Sequence, residues 1–150
     1  GELMKSFHVE DGLGITLAHR LGFKTAVITG RQSEIVRLRA GELAIGDICQ
    51  AAGNKVEVLN RLIEKHGLAA EEICYTGDDL NDLAVMGQVG LACAVANARP
   101  EVKAAAHFVS RRAGGRGAVR DIIEMVLKAQ DRWGEAVASY SRPSGLETRQ

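Results

Sequence analysis

The run Glu72-Ile73-Cys74-Tyr75-Thr76-Gly77-Asp78-Asp79-Leu80-Asn81-Asp82 decides the fold. Its first half is a short apolar stretch bounded by a glycine, which reads as a buried strand. Its second half turns to carboxylates and leads into Leu83-Ala84-Val85-Met86, so a short helix is expected over residues 79–86. A buried strand feeding a helix is half of a βαβ unit, and the chain repeats it. Lys24-Thr25-Ala26-Val27-Ile28-Thr29 is another such strand, followed by an amphipathic helix over residues 33–43 with Ile35, Leu38 and Leu43 on one side. Asp47-Ile48-Cys49-Gln50 is a third, followed by a helix that Asn54 caps and Gly67 ends. Residues 89–95 and His107-Phe108-Val109 are two more strands, separated by a helix with Pro100 in its first turn. The last helix is expected over 118–133, with Val119, Ile122, Ile123, Val126 and Leu127 as its apolar stripe. At the start, residues 3–9 alternate as a strand or hairpin arm, and residues 12–21 predict a helix closed by Gly22. The whole alternation predicts an α/β fold built on a doubly wound, mostly parallel sheet. From Gly134 the pattern fades, so a core over 1–133 and a flexible tail over 134–150 are expected.

Composition agrees with one globular domain. The chain has 150 residues, 46% of them hydrophobic, and a domain of this size buries roughly 68–70% of its unfolded surface without needing disulfide or zinc staples. Lys and Arg number 19, matching 19 Asp and Glu, which leaves no electrostatic footprint for nucleic acid or an anionic membrane. No apolar run approaches the roughly 20 residues that span a bilayer, and a cytoplasmic protein is expected. Cys49, Cys74 and Cys93 are far apart and sit in apolar runs, as buried reduced thiols do. The four histidines show no metal-ligand spacing.

In an open parallel sheet, ligands bind beyond the carboxyl ends of the strands. Three ends carry chemistry: Thr29-Gly30-Arg31, Asn54-Lys55, and Thr76-Gly77-Asp78-Asp79. Asp78 and Asp79, with Asp82 three residues on, can aim at one point and hold a hard cation, for which magnesium with a substrate phosphate is the natural choice. The competing reading is a helix N-cap made acidic to suit the helix dipole. A hydroxyl at Thr29 and an ammonium at Lys55 facing that cluster are what phosphoryl transfer needs.

Val27-Ile28-Thr29-Gly30-Arg31, Lys55 and Gly77-Asp78-Asp79-Leu80-Asn81-Asp82 resemble motifs two, three and four of the haloacid dehalogenase superfamily of phosphatases. Residues 6–15 and Gly114-Gly115-Arg116-Gly117-Ala118-Val119-Arg120 narrow this to its capless branch acting on 3-deoxy-D-manno-octulosonate 8-phosphate, over about residues 3–130. The resemblance implies a Rossmann-like core without a large cap, and a cytoplasmic, magnesium-dependent phosphatase of lipopolysaccharide sugar synthesis. Thr29 would bind the transferring phosphoryl group, Lys55 would stabilise its charge, and Asp78 would ligate magnesium. Asp79 and Asp82 would support that ligand or the loop bearing Lys55. Gly30, Arg31, Arg39 and Arg116 would bind the substrate, Arg31 and Arg39 at the sugar acid's carboxylate or hydroxyls and Arg116 near a phosphate, with Arg31 favouring an eight-carbon over a nine-carbon substrate. A homotetramer is implied, a neighbour covering each pocket near Phe7, His8 and the C-terminal segment.

One element of the family is missing. Its nucleophile and general acid are two aspartates one residue apart on a central strand, and this chain contains no Asp-x-Asp. Covalent catalysis needs that carboxylate, so the 150 residues alone are expected not to turn over. A central strand between those ending at Thr29 and Thr76 would leave two edges unpaired by its absence, and roughly 30 preceding residues, a strand and hairpin, are expected. Two other readings stand beside this one. A non-catalytic binding or oligomerising domain would keep the pocket without hydrolysis, and a receiver-like signalling domain would place the acidic pair before the hydroxyl, the reverse of the order here.

Overall fold

The computed structural model describes residues 9–141. Short apolar runs become strands and the stretches between them become helices, in the order α1 (Val9–Arg20), β1 (Ala26–Ile28), α2 (Glu34–Glu42), β2 (Asp47–Cys49), α3 (Lys55–His66), β3 (Cys74–Gly77), α4 (Leu83–Met86), β4 (Leu91–Ala94), α5 (Pro100–Ala105), β5 (Phe108–Val109), α6 (Ala118–Ala129) and α7 (Trp133–Ser141). Local chemistry sets several boundaries. Ser33 caps α2 by accepting from the Val36 N–H, Asn54 caps α3 by accepting from the Glu57 N–H, and Gly67 ends α3 at φ +63°.

Among the described residues every strand pairing is parallel, but the sheet is in two pieces. β1 pairs with β2 in the register Ala26↔Asp47, and β3, β4 and β5 follow one another with Cys74↔Leu91 and Cys93↔Phe108. Among the described residues no ladder joins β1 to β3. Between them runs an apolar cleft of about 900 Å³, lined by Val27, Ile28, Ile73, Tyr75, Ile123 and Val126 among others.

Two apolar clusters hold the elements together. Ala92 and Ala94 of β4 pack with Leu59, Val85, Met86 and Val102 from α3, α4 and α5. Leu17, Leu127 and Ala136 join α1, α6 and α7, with Phe23, Trp133 and Tyr140 around them. Asp11, buried near the start of α1, accepts from the Gly117 and Arg120 N–H groups (3.1 and 3.0 Å) and so caps α6 across more than a hundred residues of chain.

Four expectations change. The short helix over 79–86 is a 3-10 turn over Leu80–Asp82 followed by α4. The last helix stops at Ala129, and the stretch expected to be a tail forms α7 as far as Ser141, because Ala136 is fully buried against α1 and α6. α1 begins at Val9, earlier than its apolar pattern suggests. Cys74 is exposed and Cys49 half-buried, so only Cys93 matches the expected buried thiol. The strand over 3–9 except Val9, the contacts of Phe7 and His8, and the tail over 142–150 lie outside the described residues.

Candidate active site

Three loops meet at the carboxyl ends of β1, β2 and β3. After β1, Thr29 stays tied to β2, its N–H donating to the Cys49 carbonyl and its own carbonyl accepting from Ala52. Its hydroxyl accepts from the Arg31 N–H at 3.2 Å, an ST-type turn that exposes Gly30 and Arg31. A Cβ at Gly30 would lie 3.7 Å from the Ala52 carbonyl and 3.9 Å from the Asn81 amide nitrogen, so the first loop touches both of the others.

Lys55, the first residue of α3, reaches across to the third loop and donates to Asp82 Oδ1 at 2.9 Å. Both side chains are well shielded, 12% and 3% exposed. Asp82 is the hub. Its Oδ1 also accepts from the Tyr75 hydroxyl at 2.5 Å, and its Oδ2 accepts from the Asp78 and Asp79 N–H groups at 2.9 and 3.1 Å. Burial alone would raise its pKa, but these donors outweigh it and hold Asp82 at about 2. Desolvation, and then the Asp82 carboxylate, push the Tyr75 phenol far above its ordinary range. Gly77 makes the fit possible: a Cβ there would stand 2.7 Å from Asp82 Cβ and 2.9 Å from Met86 Sδ.

The three carboxylates do not converge on one point. Asp82 spends both oxygens on the loop and Lys55, and exposed Asp79 accepts from its neighbour, the Leu80 N–H, at 2.7 Å. Among the described residues no group of three His, Cys, Asp or Glu could hold a metal ion. Asp78 is exposed beside this hub, its backbone fixed by Asp82 and by the Arg99 N–H donating to its carbonyl at 3.0 Å. Partial desolvation and the adjacent Asp82 push its pKa upward. A cation would reverse that push, so Asp78 fits a magnesium site of the kind that takes one or two carboxylates and completes itself with water and a phosphate.

The predicted arginines are dispersed. Arg31 is exposed on the first loop. Arg39 lies on α2, 3.4 Å from Glu42, with its guanidinium over Gly12 of α1. Arg116 is exposed on the loop before α6, which is tied to the end of β4 by Asn97 accepting from the Gly114 N–H and by the Ala96 N–H donating to Arg112. Sequence reasoning missed Tyr75 and Asp11. Tyr75 looks like any apolar strand residue, and Asp11 finds its partners only in the folded chain.

With this geometry in place, four likenesses are informative. The profile of the haloacid dehalogenase-like hydrolases matches residues 26–123. The 3-deoxy-D-manno-octulosonate 8-phosphate phosphatase KdsC of Escherichia coli K12 is 43% identical over 136 residues, which cover 91% of this chain and 72% of that enzyme. The Moraxella catarrhalis 3-deoxy-D-manno-octulosonate 8-phosphate phosphatase, solved with a magnesium ion, a phosphate ion and KDO, superposes with a TM-score of 0.87 at 36% identity, covering 91% of this chain and 79% of that one. The Yersinia pestis phosphatase of the same name gives a TM-score of 0.84 at 40% identity, over 86% and 70%.

Proposed function

The chain belongs to the haloacid dehalogenase-like hydrolases, and on that premise we propose that it is a phosphomonoesterase converting 3-deoxy-D-manno-octulosonate 8-phosphate to KDO and phosphate. The observation that carries this reading is the meeting of the Thr29, Lys55 and Asp78 loops at one rim, the last two tied together by Asp82 and the first adjoining both at Gly30. In it the Thr29 hydroxyl donates to a phosphoryl oxygen while accepting from Arg31. Lys55, held by Asp82, supplies positive charge beside the phosphorus. Magnesium, held by Asp78, would neutralise phosphate charge and help align the phosphoryl group. Arg31 and Arg116 offer forked donors to the sugar acid's carboxylate and hydroxyls.

The carboxylate nucleophile is not among these residues, and the chain has no Asp-x-Asp. The cleft between β1 and β3 is lined along those strands as far as Ile28 and Thr76, and in this reading a strand bearing the nucleophile occupies it. Assembly as a homotetramer, with a neighbour covering the open rim, and a cytoplasmic location in lipopolysaccharide sugar synthesis belong to the same reading. No helix of the described residues is long and apolar enough to cross a membrane.

The test is phosphate release from the octulosonate phosphate by the full-length protein with magnesium. Asp78→Asn should abolish the magnesium response and lower turnover by roughly a hundredfold or more; unchanged turnover removes the metal assignment. Faster release from a nine-carbon sugar-acid phosphate would shift the substrate. The absent Asp-x-Asp favours one second reading, a binding domain without hydrolysis, which tight binding with no phosphate release from the full-length protein would establish.

A further inference from the structure

Arg112, in the loop between β5 and α6, ties several parts of the fold together. Its Nη2 donates to Glu10 Oε1 near the start of α1 at 3.0 Å, and its Nε donates to the Arg116 carbonyl at 3.2 Å. Its N–H donates to the Ser110 hydroxyl at 3.0 Å, which in turn donates to Asp121 of α6 at 2.6 Å, and its carbonyl accepts from the Ala96 N–H after β4. Gly117 leaves room for this side chain: it holds a left-handed backbone at φ +104°, and a Cβ there would stand 2.7 Å from the Arg112 Nε. The guanidinium therefore lies across the Gly-Gly-Arg-Gly turn and fixes the carbonyl of exposed Arg116. That turn adjoins the Asp78 loop through one intervening segment, since Asn97 accepts from the Gly114 N–H and the Arg99 N–H donates to the Asp78 carbonyl. The Arg112 and Glu10 side chains are each 45% exposed, so their ion pair adds little to global stability. What it limits is the freedom of a glycine-rich turn.

We propose that Arg112 is a positioning residue: by holding the Arg116 carbonyl against Glu10 of α1, it presents the Arg116 guanidinium to the substrate and lowers KM. The proposal rests on the phosphatase reading, in which Arg116 meets the sugar-acid phosphate. The Nε and Nη2 of Arg112 are spent inside the protein, so it acts through Arg116 rather than on the ester. Its effect is to order the turn in advance, because a guanidinium carried on a fixed backbone loses less freedom on binding than one carried on a loose backbone. A lysine has no planar fork to serve two acceptors set apart, so it replaces this function only in part.

The experiment is steady-state phosphate release from the octulosonate phosphate by the full-length protein, with amide exchange and melting temperature measured on the same variants. Arg116→Ala should raise KM about tenfold or more, as loss of a hydrogen bond to a charged group does. Arg112→Ala should raise KM by about three- to tenfold and speed exchange at the Arg116 and Gly117 N–H groups. Its kcat should change by less than about twofold and its melting temperature by less than about 2 °C, as for the loss of an exposed ion pair. Arg112→Lys should fall between Arg112→Ala and wild type, and the double variant Arg112→Ala/Arg116→Ala should be no worse than Arg116→Ala. An unchanged KM in Arg112→Ala overturns the proposal, and so does a multiplicative effect in the double variant or a joint fall of kcat and melting temperature. A wild type that releases no phosphate removes the phosphatase reading instead. The same variants are then compared by calorimetry for their Kd toward the octulosonate phosphate, where a weaker Arg112→Ala supports the positioning role and equal values, or no binding, overturn it.

Discussion

Replacing Asp82 by asparagine keeps the shape of the hub and removes its charge, which isolates what the carboxylate contributes. Each oxygen serves two donors, Lys55 and Tyr75 on one, the Asp78 and Asp79 N–H groups on the other. An amide has a single carbonyl, so in either orientation two donors face an NH2 group and lose their acceptor. The Lys55 ammonium, 12% exposed, also loses its counter-charge. Two charge-assisted hydrogen bonds are worth roughly 1.5–3 kcal/mol each, and breaking a shielded ion pair costs about 3–5 kcal/mol. These costs overlap, so the expected destabilisation is about 3–5 kcal/mol. At this chain length that lowers the melting temperature by roughly 6–20 °C, readable by circular dichroism and by a reduced urea midpoint. Tyr75→Phe removes one donor and leaves Oδ1 satisfied by Lys55, so it should cost only about 1 kcal/mol. A variant Asp82→Asn within about 1 kcal/mol of wild type would refute the hub.

Gly77→Ala should destabilise by about 1–3 kcal/mol, since its Cβ would overlap Asp82 and Met86; a neutral result in urea denaturation would show that the loop can move aside. Asp11→Ala should cost about 1–2 kcal/mol as a lost helix cap and speed amide exchange at Gly117 and Arg120, whereas unchanged exchange would mean that α6 starts without it. Acid should unfold the protein partly through Asp82, whose folded pKa of about 2 lies below the ordinary carboxylate value. Its stabilisation, about 2 kcal/mol, is full above about pH 4 and lost as pH falls toward 2. Asp47, lowered by Lys65 and His66, loses its contribution in the same direction, so equal stability at pH 6 and pH 3 would contradict both.

What the sequence determined by itself is local. Ser33, Asn54 and Gly67 mark helix ends because a cap is satisfied by N–H or C=O groups a few residues away. The alternation of apolar runs with amphipathic stretches was sufficient for parallel strands and crossover helices, and the order Thr29, Lys55, Asp78 already pointed to phosphate chemistry. Tertiary structure decided the rest. Which of three neighbouring aspartates is buried depends on donors from α3 and β3, and only folding shows that Asp82 is consumed by Lys55 and Tyr75 while Asp78 and Asp79 stay exposed. The helix over Trp133–Ser141 has a weak pattern of its own and owes its place to Ala136 packing on α1 and α6. The split of the sheet follows the expectation drawn from the missing Asp-x-Asp strand, whereas the approach of Cys74 to Cys93 is invisible in the sequence, because strand pairing is chosen by partners far apart in the chain.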